Sequence, residues 1–245
     1  MNKEIWSLKV VSVCSAAILV AALAELKFFY IEFVVILAVT SLITSFSFKK
    51  LFIIIGAVFG LNAGVYLLGK IFPYYADFFT INGILANITD SRGYSGANDI
   101  NRFTGFSIIN NRFLTNSFSR LFGLGLGNCD YSTSFSFLMS PFFKMNELLH
   151  YTWLSIFWVY LECGILGLFM FIGFFVLISI HSLSKMKRTT SFQKTYYQYS
   201  VLLGIICCMC FIYNSSLRTE AAYLIYIAMA LPFCGMSNEG KGLVE

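Results

Sequence analysis

The chain has 245 residues, 58% of them hydrophobic and 12% charged, with a mean hydropathy of +0.76. Soluble domains carry about 25% charged residues, so half that share, together with long apolar runs, argues against a water-soluble domain and for a polytopic membrane protein. The net charge of +5 comes from scattered Lys and Arg with no basic domain. Nucleic acid is therefore not an expected partner, and the charges instead orient the chain across the bilayer.

A membrane span needs about 20 apolar residues. In chain order the expected spans are 7–24, 28–46, 51–69, 151–180, 197–213 and 221–236. The first run resembles a signal peptide, but a second apolar run follows almost at once, so it reads as an uncleaved span. The expected fold is an all-α membrane helix bundle of about six transmembrane helices with one large extracytoplasmic loop. Residues 1–69 hold three N-terminal spans, 70–149 the loop with interfacial helices, 150–236 three C-terminal spans, and 237–245 a short tail. Lys3, Lys9, Lys49, Lys50, Lys185, Lys187, Arg188, Lys194 and Lys241 fall on one side of this arrangement. Only Lys27 and Arg218 mark the short connections opposite. Both termini are then cytoplasmic and the 70–149 loop is outside. Of the seven cysteines, six lie in apolar runs, where Cys behaves as a small hydrophobe. Cys129 has no loop partner for a disulfide. CCMC at 207–210 lacks a second pair or a His, so no metal site is expected.

Within the loop, residues 81–102 are rich in Gly, Asn, Ser and Asp, which signals turns. From Arg102 the pattern changes. Phe103, Phe106, Ile109, Phe113 and Phe118 recur at mostly helical spacing, as in a helix lying against the bilayer. At about 100° per residue, Arg102 and Arg120 share one face and Arg112 sits about 80° away from it. Two readings stand side by side. Such arginines meet lipid phosphates, or they converge on a pyrophosphate, for which a planar bidentate donor is well suited. The run FGLGLGN then brings Gly123, Gly125 and Gly127. It lacks GxGxxG spacing after a strand, so it is not a nucleotide fingerprint. Alternating glycines permit tight turns and close backbone approach.

Glu147 and His150 are three residues apart at the outer end of the fourth span, where an acid and an imidazole on one helix face can do acid–base work or remain an idle surface pair. Glu162 lies about eleven residues into that span, near mid-membrane at about 1.5 Å per residue. A carboxylate there costs several kcal/mol unless protonated, paired or hydrated. Gly164 and Gly167 follow it and suit close helix approach. Arg218 and Glu220, at the outer turn between the last two spans, are expected to pair or cap that turn.

An arginine-bearing outer loop ending in FGLGLGN, followed by a span carrying LECGILGLF, resembles the O-antigen ligase/polymerase superfamily over residues 100–180. Arg112, ten residues before Gly123, also resembles the R-x10-G pattern of polymerase loops. The resemblance implies an integral-membrane glycosyltransferase of the bacterial inner membrane that uses undecaprenyl-pyrophosphate-linked glycan. Polymerases transfer the growing glycan onto the next lipid-linked repeat unit, making O-antigen or capsular polysaccharide. Ligases transfer it to lipid A core. The resemblance implies substrate contacts from Arg102, Arg112, Arg120 and the three glycines, catalytic roles among Glu147, His150 and Glu162, no metal or other cofactor, and a chain-length regulator protein as partner. The chain departs from the family in two ways. Ligases place a His where Trp153 stands, and family members are longer, so this chain looks like a C-terminal half. The expected function is polymerisation. A ligase, a small transporter with Glu162 as coupling group, and a non-catalytic membrane partner are the alternatives.

Overall fold

The computed structural model describes residues 27–43, 100–132, 134–189, 191–219 and 221–234, together with residues 16, 55, 56, 66, 69 and 70. The chain divides into two units, Met1–Ile84 and Leu85–Glu245. The described residues of both form helices, turns and irregular connections, with no strand among them.

In the first unit the described helix is α1, Lys27–Ile43, which overlaps the expected second span and starts one residue before it. The expected first and third spans lie almost wholly outside the described residues, as does the loop from 71 to 99.

The second unit begins with short helices that form a cap: α2 (Gly105–Arg112), α3 (Ser117–Phe122) and α4 (Pro141–Asn146). Three longer elements follow: α5 (Ser155–Met186), α6 (Ser191–Tyr213) and α7 (Ala221–Ala230). By length and composition, α5 and the Gln193–Tyr213 part of α6 can cross a membrane. Only 11% of the most apolar window of α5 is buried. A core helix of a soluble protein buries most of that surface, whereas Phe169, Met170, Leu177 and Ile180 are exposed here, the pattern of a helix whose apolar side faces lipid. The sixth expected span is shorter than its sequence suggests. After Ala230 the chain tightens into a 3-10 turn, Leu231–Phe233, because Pro232 lacks the N–H that an α-helix needs there.

α5 and α6 pack along their length. Gly204 lets α6 approach Ser179 and the Phe175 carbonyl. Ser182 Oγ donates to Ser200 Oγ at 3.2 Å, a buried hydroxyl contact between spans. Phe175, Cys207, Phe211 and Met229 fill the interface. A second cluster under the cap joins Ile109, Leu114, Phe157 and Leu161. Cys207 and Cys210 belong to the first cluster and Cys129 to the second.

Three expectations change. Residues 102–120 do not form one helix. α2 ends at Arg112, where the Phe113 and Leu114 amides both donate to the Ile109 carbonyl. Asn116 then starts α3 by accepting from Ser119 N at 2.6 Å, as an N-cap does. The single arc of three arginines therefore does not exist. Glu147 and His150 do not share a helix face either, because His150 is left-handed (φ 51°) between two 3-10 turns. Finally, α5 is broken at Gly164, whose φ of 63° and ψ of −159° are not helical. Residues 165–186 alone rise about 33 Å, close to the roughly 30 Å of bilayer hydrocarbon. Glu162 precedes the break, so a span made of residues 165–186 alone would have it at its end and not at its middle.

Candidate functional site

The break at Gly164 frees carbonyls at the end of the first half of α5. The glycine run satisfies them: Leu124 N donates to Leu161 O at 2.8 Å and Gly125 N donates to Glu162 O at 2.9 Å. The two backbones cross so closely that side chains are excluded. A Cβ on Gly123 would overlap the Glu162 carbonyl, and one on Gly164 would overlap the Leu121 carbonyl. Both glycines also hold positive φ, at 76° and 63°, which L side chains rarely adopt. FGLGLGN and ECG, far apart in sequence, thus form one crossing.

The crossing fixes Glu162. Its side chain is fully buried, and Oε2 lies 2.8 Å from Arg218 Nη1. Arg218 comes from the 3-10 turn Ser216–Arg218 between α6 and α7. Its guanidinium stacks over Trp158, 4.3 Å from the ring centroid, and its Nη2 lies 3.9 Å from Asp130 Oδ1. Trp158 stands one helical turn before Glu162, so both present to the same side. Asp130 follows the glycine run, where the Ser140 amide donates to its carbonyl. Two separate parts of the chain, α5 and the Asp130 segment, thus converge on the guanidinium of a third.

A cavity of about 780 Å³ opens beside this cluster. Glu162 and Arg218 form its polar end. Its walls are Phe122 and Leu126 from the cap, Leu166, Met170, Phe171 and Phe174 from α5, and Tyr226 from α7. It is a largely apolar groove with one charged end, as ligand sites commonly are.

The other expected site residues take different places. Arg102 Nη2 donates to the Tyr213 carbonyl at 2.9 Å and the guanidinium covers the Tyr213 ring at 4.3 Å, which caps the C-terminus of α6. Arg120 Nε donates to Leu114 O at 2.9 Å and holds the α2–α3 connection. Arg112 is exposed in the last turn of α2. Glu147 is exposed, and His150 lies against Trp153 with ring centroids 4.1 Å apart. None of these five lines the groove. Gly123 shapes the crossing, Gly125 lines the groove, and Gly127 makes a turn whose Cβ position is open. Cys129 is buried under the cap. Burial, and then the nearby Glu162 carboxylate, push its thiol up to about 12, which makes it a packing group and not a nucleophile. Tyr151 donates to the Cys129 carbonyl at 2.6 Å, and burial raises its phenol well above the ordinary value. Among the described residues, no group of three or more His, Cys, Asp or Glu is placed to hold a metal ion.

Sequence reading missed Arg218 as Glu162's partner. A signal existed: Arg218 is a lone cation in the apolar stretch 197–236, as Glu162 is a lone acid in its own. Isolated opposite charges near a membrane usually meet. No protein-family model, curated protein or solved structure matches the chain.

Proposed function

We propose that the protein is an integral-membrane glycosyltransferase of the bacterial inner membrane, with both termini cytoplasmic, that polymerises undecaprenyl-pyrophosphate-linked repeat units into O-antigen or capsular polysaccharide. The observation that carries this reading is the groove itself. An apolar wall running along a helix long and apolar enough to cross a membrane ends in a carboxylate and a guanidinium. A lipid-linked pyrophosphate has the same order of parts: hydrocarbon, anion, sugar. The resemblance of the loop and the following span to the O-antigen ligase/polymerase superfamily points the same way.

In this mechanism the acceptor hydroxyl oxygen forms a bond to the anomeric carbon of the donor glycan. The bond from that carbon to the pyrophosphate oxygen breaks, and lipid pyrophosphate leaves with the electron pair. Glu162 takes the hydroxyl proton, and Arg218 stabilises the leaving anion. Arg218 takes over the role first expected of Arg102 and Arg120, whose guanidiniums hold backbone carbonyls. Arg112 remains a second contact for the substrate.

The test is complementation of a strain lacking its polysaccharide polymerase, with the glycan ladder read on a gel. The wild-type chain should extend the ladder beyond one repeat unit. Arg218→Gln and Glu162→Ala should each leave single repeats when ladders are compared at matched amounts of folded membrane protein. A well-expressed wild-type chain that leaves only single-repeat product in the matching strain refutes the reading.

A further inference from the structure

We infer that Glu162 is an exchangeable internal counter-ion, which holds Arg218 until the phosphate of an amphipathic anion replaces it. This rests on the groove being the substrate site, but requires no glycosyl transfer. A buried ion pair that serves only as structure satisfies its remaining lone pairs with hydrogen bonds. This one does not. Glu162 is fully buried, yet among the described residues neither carboxylate oxygen accepts a directed hydrogen bond, although Arg218 Nη1 lies 2.8 Å from one of them. The close charges meet without N–H alignment. Trp158 Nε1, in the same cluster, is also buried without an acceptor among the described residues. Of these groups Glu162 and Arg218 line the groove, so its polar end lacks donors to the carboxylate, and a ligand bearing phosphate oxygens and hydroxyls supplies them while its anion meets the guanidinium.

Arg218 is built to survive the exchange. The Trp158 ring lies under its guanidinium at 4.3 Å, and Asp130 stands 3.9 Å away. These contacts hold the planar fork in position when Glu162 lets go, and that fork suits two phosphate oxygens at once. The freed carboxylate then accepts from a ligand hydroxyl. The apolar wall of Leu166, Met170, Phe171 and Phe174 takes the hydrocarbon tail. A free phosphate lacks that tail and an uncharged lipid lacks the anion, so the groove selects a molecule having both. The anion has two sources, a lipid-linked pyrophosphate or a phospholipid head group.

The experiment measures binding to the purified full chain in detergent, by native mass spectrometry and by the shift in thermal unfolding. The probes are undecaprenyl pyrophosphate, undecaprenol, phosphatidylglycerol and inorganic pyrophosphate. Undecaprenyl pyrophosphate should bind saturably, with undecaprenol and inorganic pyrophosphate at least roughly tenfold weaker. Glu162→Gln, which removes the internal competitor, should tighten binding of the pyrophosphate lipid by roughly tenfold. Arg218→Lys keeps the charge and loses the fork, and should weaken it. Equal binding of undecaprenol overturns the inference, and so does a folded Glu162→Gln variant that binds no more tightly. If that variant does not fold, the comparison of charged with uncharged lipid on the wild-type chain still decides. Tight phosphatidylglycerol binding that strengthens in Glu162→Gln upholds the exchange and assigns the anion to the phospholipid. Selective binding with no extended glycan ladder upholds the exchange and removes the polymerase.

Discussion

Glu162 and Arg218 test the difference between a buried charge and a buried pair. Removing one member leaves the other uncompensated, at a cost of about 3–5 kcal/mol. The two ends are not equivalent here. Arg218→Gln strands a fully buried carboxylate, whereas Glu162→Gln leaves a guanidinium still beside Asp130 and Trp158. Arg218→Gln should therefore lower the unfolding temperature more than Glu162→Gln does. The double substitution should recover most of the loss, and strict additivity across this cycle would show that the pair is not coupled. Cys129 supports a pH prediction. Its thiol ionises near 12 when folded and near 8.5 in an unfolded chain. The unfolded state therefore loses its proton first as pH rises. The stabilisation is fully present below about 8.5 and is lost between there and about 12. Stability measured by chemical unfolding should fall over that window, and Cys129→Ala should flatten the fall. Of this chemistry, the isolated acid was legible in the sequence. Its partner was not, because pairing depends on how a turn between α6 and α7 folds back over α5.

At the scale of elements, the crossing of the glycine run with α5 makes a graded prediction. Gly164 combines a φ/ψ region open only to glycine with backbone overlap. Gly123 has the same overlap on the other strand of the crossing. Gly127 has positive φ but open space where its Cβ would stand. Alanine at Gly164 or Gly123 should cost about 3 kcal/mol or more. Alanine at Gly127 should cost about 1–2 kcal/mol, the conformational term alone. Thermal unfolding of the detergent-solubilised variants gives the order, and equal losses at all three would remove the crossing as the cause. The sequence made the glycines conspicuous but not their partner. FGLGLGN reads as a run permitting tight turns and close backbone approach and ECGILG as a small-residue helix face, and only the fold brings one against the other. The split between α2 and α3 was more accessible. Asn116 is a residue type favoured at N-caps, a signal that reading only the recurring phenylalanines passes over. Periodicity alone could not reveal that Arg102 and Arg120 would bond main-chain carbonyls, since that choice is made by Tyr213 and Leu114.

At the scale of the whole molecule, charge and length together orient the second unit. The second part of α5 runs from the Gly164 break to Met186, with Lys185 in its last turn, and Lys187, Arg188 and Lys194 follow at and just after the α5–α6 connection. The cap, the glycine crossing and Arg218 gather at the opposite end. Short connections rich in Lys and Arg stay in the cytoplasm, so the groove should open on the external side. The helical class and the two long spans were legible from apolar run length. The place of Glu162 along its helix was not, because an unbroken helix from 151 would have it near the middle of the span, whereas the break at Gly164 leaves it at the end of a separate short segment. This distinction matters for function. A carboxylate at mid-membrane suits a transporter's coupling group, whereas one at the external edge can meet a saccharide hydroxyl while the lipid remains in the bilayer. Single-cysteine labelling tests the orientation directly. In intact spheroplasts a membrane-impermeant maleimide should label Ser136→Cys in the cap. It should label Thr189→Cys, at the α5–α6 connection, only after permeabilisation. The converse pattern would turn the groove toward the cytoplasm, where an enzyme that builds external polysaccharide from lipid-linked repeats has no work to do.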